Sequence, residues 1–281
     1  ETFKWAFQGD LQTLDPHGLF ETMTLGFQRN IYEGLVIRND KMEMEGALAE
    51  KWENINPTTW RFNLRKGVKF HAGGDMKADD VKFSVERLST EGSDMKVVAA
   101  LIKEAKIIDD YTIDIITPAP NPILPLQLEI FYIMDKQWAE KNNAVGATNV
   151  KGGDEDNGAN LKTNGTGPFM LGSRQSGVKT ILKRNPDWWG KMKSNVTEVV
   201  FTPITRSHSE RSISQNAFRS IPAKRPALLM RMSMRPHWSI AAWAIFLQSS
   251  SLPMSPWAMM ASTPLALHAA RVSLASFSLF V

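Results

Sequence analysis

The sequence predicts a fold of mixed strands and helices, and three stretches carry that prediction. Between Ala47 and Leu88, Trp60, Phe62 and Leu64 alternate with Arg61, Asn63 and Arg65, which puts one face of a strand in a core and the other in water. Past His71-Ala72-Gly73-Gly74-Asp75 the spacing turns helical, with Val81, Phe83, Val85 and Leu88 apolar and Asp79, Asp80 and Glu86 on the solvated side. Acidic residues in that first turn complement the helix dipole, and Asp75 or Asp79 is expected to cap it. The second stretch, Ala105 to Pro118, holds two alternating runs split by Asp109-Asp110, a hairpin pattern. The third, from Phe169 to Ile204, supplies strand-like runs at Phe169 and Leu171, at Ile181 and Leu182, and across Val196 to Ile204.

Taken in order, Phe3, Trp5 and Phe7 alternate with Lys4 and Ala6 and open the chain as a half-buried strand. Met23, Leu25, Phe27, Ile31 and Leu35 follow helical spacing, so a helix is expected over 23–35, with Arg29 and Glu33 four apart and able to pair on its outer face. Pro118, Pro120, Pro122 and Pro125 each lack an amide donor and suppress regular structure up to Leu126. Leu128 to Met134 is an apolar run short enough for a buried strand, and Asp135 to Asn143 reads as a short helix. Val145 to Thr163, rich in Gly, Asp and Asn, reads as an exposed loop.

Charge is distributed unevenly. All 18 glycines lie in residues 1–200, which carry a net charge of −3, whereas 201–281 hold one acid, Glu210, against eight bases. The formal net charge of +4 therefore belongs to the tail, and a nucleic-acid role argued from overall basicity fails for the first 200 residues. No cysteine is present, which excludes disulfides, thiolate catalysis and cysteine-held metals. The chain starts at Glu1, directly in a strand-like run without an initiator methionine, so a processed or trimmed start is expected. The absence of an N-terminal cysteine argues against a lipid-anchored form.

The candidate chemistry is sparse. His71 with Asp75, Asp79 and Asp80 offers one histidine and helix-start carboxylates where zinc needs about four converging ligands. Asp15 and His17 form a turn rather than a catalytic pair, since no serine or second carboxylate stands at motif spacing. Gly165-Thr166-Gly167 lacks the Gly-Lys-Ser/Thr ending of a phosphate loop and instead suits a tight turn with close backbone approach. Asn164-Gly165-Thr166 and Asn195-Val196-Thr197 match the glycosylation sequon, which matters in a eukaryotic secretory setting. Trp52, Trp60, Trp138, Trp188 and Trp189 read as packing residues, with a sugar-binding platform as the rival.

Five motifs in order carry a family resemblance. They are Leu14-Asp15-Pro16-His17 followed by Tyr32-Glu33-Gly34-Leu35-Val36, then Gly46-Ala47-Leu48-Ala49-Glu50 with Trp52-Glu53, then Gly67-Val68-Lys69-Phe70-His71 with the Ala78-Asp79-Asp80-Val81 helix start, then Gly165-Thr166-Gly167-Pro168-Phe169, then Asn185-Pro186-Asp187-Trp188-Trp189-Gly190. Together they resemble the signature of the family 5 extracytoplasmic solute-binding proteins, the peptide, nickel and oligosaccharide receptors of ABC importers. The resemblance runs from Phe3 to about Thr205 and stops there.

That resemblance implies an α/β fold of the periplasmic-binding-protein type, class II-like and incomplete. Residues 1–36 and 165–205 would form part of the first lobe, 37–164 the extra subdomain, and the second lobe is missing. It implies no enzyme and no cofactor, a monomer in the periplasm, and as partners a small solute, oligopeptide first, and a membrane permease, with no nucleic acid. Carried over by position, the ligand-binding residues would be Glu21, Thr22 and Met23, then Phe131 and Tyr132, then Thr166 and Gly167. Peptide termini in such proteins are held mainly by the second lobe, so weak or no binding is expected of this polypeptide. The rival reading is a metal-dependent hydrolase using His17 and His71.

Residues 206–281 need their own account. The abrupt loss of glycine and aspartate with gain of Ser, Arg, Pro, Ala and Met is how an out-of-frame reading of a GC-rich gene looks, and that frameshift is the expectation. A membrane span over Trp238 to Ala270 is interrupted by Gln248, Pro253, Pro256 and Pro264. A basic tail touching membrane or nucleic acid, with Trp238, Trp243 and Trp257 between its bases, is the third reading.

Overall fold

The computed structural model describes residues 1–39, 41–154 and 156–204, and the readings of the tail fall outside the described residues. In chain order the elements are β1 (Thr2–Gln8), α1 (Thr22–Gln28), β2 (Val36–Arg38), β3 (Met44–Gly46), β4 (Ala49–Asn56), β5 (Thr59–Leu64), α2 (Ala78–Leu88) and α3 (Lys96–Ala99). They continue with β6 (Glu104–Asp109), β7 (Thr112–Ile116), α4 (Leu124–Gln127), a 3₁₀ turn (Leu128–Ile130), α5 (Lys136–Lys141), α6 (Gly158–Leu161), β8 (Phe169–Gln175), β9 (Lys179–Arg184) and β10 (Glu198–Ile204). Two four-stranded sheets result, one ordered β1-β10-β9-β8 and the other β4-β5-β7-β6, with β2 and β3 as a separate ribbon.

The first sheet joins the start of the chain to residues almost two hundred positions later. β1 runs parallel to β10 in a continuous register from Thr2 opposite Glu198 to Gln8 opposite Ile204. Trp5 faces Phe201 with ring centroids 4.7 Å apart, and Phe27 of α1 closes on the same Phe201 at 5.8 Å. Parallel strands need a long crossover, and here everything from α1 to β9 lies within it.

The second sheet is antiparallel throughout and carries the hairpin expected at Asp109-Asp110, with Glu104 opposite Ile116 and Asp109 opposite Thr112. Phe62 and Leu64 turn inward and are buried while Arg61 pairs outward with Asp114 through two bonds of 2.7 and 2.8 Å. Helix α2 packs on this sheet through Val81, Val85 and Leu88, a stripe at helical spacing. Its start is capped by Asp80, which accepts from the Lys77 amide at 2.9 Å, and neither Asp75 nor Asp79 makes that bond; Asp79 reaches out to Lys136 Nζ instead.

Three expectations about local structure fail, each for a physical reason. The helix expected over 23–35 ends at Gln28. Ile31 and Leu35 are buried as their spacing required, but the backbone of Asn30 and Ile31 turns away to accept from the amides of Phe169 and Gly167. Leu128 and Phe131 to Met134 are buried without forming a strand: after the 3₁₀ turn only Tyr132 makes a bridge, to Gly34. Over 145–163, Ala147, Thr148, Asn157 and Ala159 are buried, because Arg87 draws the loop in by donating to the carbonyls of Ala144 and Gly146.

Candidate functional site: a wall built from three segments

The site begins in the connection after β1. Asp15 folds its own turn by accepting from the His17 amide at 2.9 Å, and Thr148 gives it two more bonds of 2.8 Å through its amide and hydroxyl. Arg87, wholly buried on α2, donates to both carboxylate oxygens of Asp15 at 2.6 Å. Burial alone would raise the Asp15 carboxyl; the charge and hydrogen bonds of Arg87, with smaller help from His17, hold it well below the usual carboxylate range.

His17 passes this order to the next segment. Its Nε2 lies 2.9 Å from the Tyr132 carbonyl and its Nδ1 lies 3.1 Å from Arg87 Nη1. Arg87 has no lone pair to offer, so Nδ1 accepts, and Nε2 carries the proton and donates to Tyr132. Burial first, then the Arg87 charge, lowers the His17 pKa to about 4, which keeps the ring neutral. The Tyr132 hydroxyl in turn donates to the Leu25 carbonyl of α1 at 2.9 Å. Burial raises this phenol above its ordinary range, so it stays a donor.

A second knot holds the glycine loop. Gly167 donates its amide to the Ile31 carbonyl at 2.9 Å, and its own carbonyl accepts from His71 Nε2 and Asn185 Nδ2. A Cβ on Gly167 would stand 2.7 Å from the Ile31 carbonyl, so the close approach requires glycine there. Thr166, fully buried, donates its hydroxyl to Glu33 Oε2 at 2.8 Å. Trp188 donates to Glu33 Oε1 at 3.1 Å and Trp189 to Oε2 at 2.9 Å. Glu33 is thus inside, and Arg29 pairs with Glu129 at 3.6 Å; the surface pair expected between Arg29 and Glu33 does not form.

Of the seven residues expected to bind ligand, Glu21 is exposed and Thr22 half-exposed, while Met23, Phe131, Tyr132, Thr166 and Gly167 are buried among the described residues. The structure brings Tyr132 onto α1, where Glu21 precedes the first turn and accepts from Thr24 Oγ1 at 2.6 Å. It brings Thr166 and Gly167 onto 31–33, whose Glu33 carbonyl accepts from the Ile133 amide at 2.9 Å. Phe20, absent from the expected set, lies beside Glu21 with 37% of its surface exposed. Asp15, Arg87, Glu33, Trp188 and Trp189 organise these segments; all but Arg87 lie in the family motifs, but local spacing does not say which distant partners they meet.

Two cavities accompany the wall. One of about 20 Å³, the size of a water, is lined by Arg29, Tyr32, Glu33, Glu129 and Tyr132 among others. The other, of about 200 Å³, is lined by Lys69, His71, Met170, Asn185 and Asp187 among others. Both His17 nitrogens are taken by Tyr132 and Arg87, which leaves that ring no lone pair for a metal. Among the described residues no group of three or more His, Asp and Glu could hold a metal, and no helix is long and apolar enough to cross a membrane.

Comparison with known proteins bears on the same residues. The chain matches the family described as bacterial extracellular solute-binding proteins, family 5 Middle, over residues 43–217. It is 30% identical over 214 residues to the dipeptide-binding protein of Escherichia coli, covering 68% of this chain and 38% of that protein. It is 26% identical over 215 residues to the periplasmic oligopeptide-binding protein of Salmonella typhimurium, covering 70% of this chain and again 38% of the relative. Among solved structures it resembles the ABC transporter-associated periplasmic binding protein DppA from Helicobacter pylori in complex with peptide STSA, at 28% identity and a TM-score of 0.63, over 73% of this chain and 43% of that one. The chain therefore spans well under half the length of these relatives.

Proposed function

Since this chain belongs to family 5 of the bacterial extracellular solute-binding proteins, we propose that it is the solute-binding component of an ABC importer and that its solute is a short peptide. The observation that carries this reading is the joining of α1, 131–133 and 165–167 into one wall by Tyr132, His17 and Glu33. The two relatives named for dipeptides and oligopeptides support the solute class. Residues 1–36 and 165–205 would belong to one lobe and 37–164 to an extra subdomain, in line with a first sheet that draws only on β1 and β8–β10.

Within this reading Glu21, Thr22, Met23, Phe131, Tyr132, Thr166 and Gly167 form the solute wall, and Phe20 extends it. Glu21 and Thr22, with Phe20, offer the accessible part of the surface, and the buried members fix its shape. In a complete receptor a second lobe would close over solute by hinge motion and present the closed form to a membrane permease; no bond is made or broken, and the setting is periplasmic. The chain spans 38% of the dipeptide-binding relative, and on this reading the described residues supply one wall of the site and bind peptide weakly by themselves. The tail beyond Thr205, into which the family match runs as far as residue 217, is read as frameshift-derived, and resequencing tests it: a single-base correction after the Ile204 codon restores a family-like continuation, and failure in every frame overturns the idea.

The wall itself is tested by titrating the isotope-labelled full chain with di- to pentapeptide pools and following amide resonances. Shifts concentrated at Phe20–Met23 are expected. Shifts confined to other regions would contradict the assignment of this wall.

A further inference from the structure

We propose that Glu33 is a positioning residue for solute binding, a buried clamp that holds the Gly165–Gly167 loop and the Trp188–Trp189 pair against the segment carrying Phe131 and Tyr132. The proposal rests on the solute-binding reading for its purpose, and on geometry for its content.

Glu33 hydrogen-bonds to all three of these parts. Its carbonyl accepts from Ile133, one carboxylate oxygen accepts from Thr166 and Trp189, and the other accepts from Trp188. Three donors therefore converge on two oxygens. An indole N–H can donate but cannot accept, and each oxygen faces one. A carboxylate satisfies the set; a glutamine has a single acceptor oxygen and would turn its NH₂ against an indole N–H. The residue type is accordingly specified by the donors around it and not by volume alone.

The charges facing this carboxyl come from three directions. Arg65 lies over the Trp189 ring, 4.2 Å from its centroid, and acts on Glu33 from behind that ring. Arg29 and Glu129 line the same small cavity as Glu33 and are paired with each other at 3.6 Å. No cation is in contact with the carboxylate among the described ion pairs. Burial outweighs the bonds from Trp189, Thr166 and Trp188 and the Arg65 charge, and the pKa rises to about 7. A proton on Oε1 opposes the Trp188 indole N–H, whereas a proton on Oε2 can turn to the Thr166 hydroxyl, which then accepts instead of donating, so the donor set around the carboxyl rearranges as pH falls through that value even as the neutral carboxyl escapes the cost of burying a charge.

The test uses the full chain labelled with ¹⁵N. The indole resonances of Trp188 and Trp189, assigned by single Trp→Phe changes, are followed from about pH 5 to about pH 9, around the shifted value and clear of the ordinary carboxylate range. Both are expected to titrate together near neutrality in the wild type. In Glu33→Gln the titration is expected to vanish, and exchange of the Gly167 and Ile133 amides to quicken about tenfold or more, as for a lost hydrogen bond to a charged group. A residue serving only as packing would show no common titration. Flat indole resonances in the wild type overturn the proposal without reference to any variant, as does unchanged amide exchange in Glu33→Gln. The solute reading fails separately, if peptide leaves Phe20–Met23 unshifted while the indoles still titrate.

Discussion

Arg87 and Asp15 form a fully buried two-pronged ion pair, with both guanidinium nitrogens 2.6 Å from different carboxylate oxygens. Seventy-two positions apart in sequence, they join α2 to the turn that precedes α1. Removing one partner leaves the other charged and buried, which costs about 3–5 kcal/mol. Arg87→Leu is therefore expected to lower the urea midpoint sharply, and Arg87→Leu with Asp15→Leu to lower it less than Arg87→Leu alone. Equal loss in the single and double variants would show that the pair is not coupled.

His17 makes stability rise with pH. Its pKa is lowered from 6.5 to about 4 in the fold, so on acidification the unfolded chain takes up the proton first. The His17 contribution is complete above about pH 6.5 and lost as pH falls to about 4, with a span of order 3 kcal/mol. His17→Gln, followed by urea unfolding at several pH values, is expected to flatten this rise. A rise of undiminished steepness in the variant would contradict the assignment.

Glu33 acts with the opposite sign. Its pKa is raised from 4.5 to about 7, so the folded chain keeps the proton longer than the unfolded chain. Its contribution is complete below about pH 4.5 and lost as pH rises to about 7. Glu33→Gln therefore steepens the net rise of stability with pH across that window, because the opposing term is gone while His17 remains. A shallower net rise in Glu33→Gln would reverse the sign and refute the assignment.

Gly167 tests the close approach of the loop. Gly167→Ala places a Cβ 2.7 Å from the Ile31 carbonyl and is expected to cost about 1–3 kcal/mol, as overpacking does. Gly74→Ala, at φ +93° with nothing within 4 Å, strains only its own backbone and costs about 1 kcal/mol. A smaller effect at Gly167 than at Gly74 would argue against the tight contact.

Much of this fold was legible because periodicity tracks burial in β5 and α2, although Phe3 and Phe7 of β1 and Ile107 of β6 are exposed. Phe62, Leu64, Val81 and Leu88 are buried where alternation and helical spacing put them. Periodicity does not report which backbone partners a segment will find, and that is why residues 29–35 leave the helix: their carbonyls serve Gly167 and Phe169. Apolar composition likewise put Leu128–Met134 inside without saying that the Met134 amide would bond to Ser84 Oγ instead of a neighbouring strand. The site was harder to see for an electrostatic reason. Glu33, Asp15 and Arg87 carry charges that local reading assigns to the surface, and only partners distant in sequence make their burial tolerable.

On the proposed reading, the described residues form one wall of a peptide site. Isothermal titration calorimetry of the full chain with di- to pentapeptide pools tests it most directly. Heats too weak for micromolar affinity are expected, with Kd on the millimolar side of that scale, worth about 4 kcal/mol of binding. Micromolar affinity for any of the pools would contradict it.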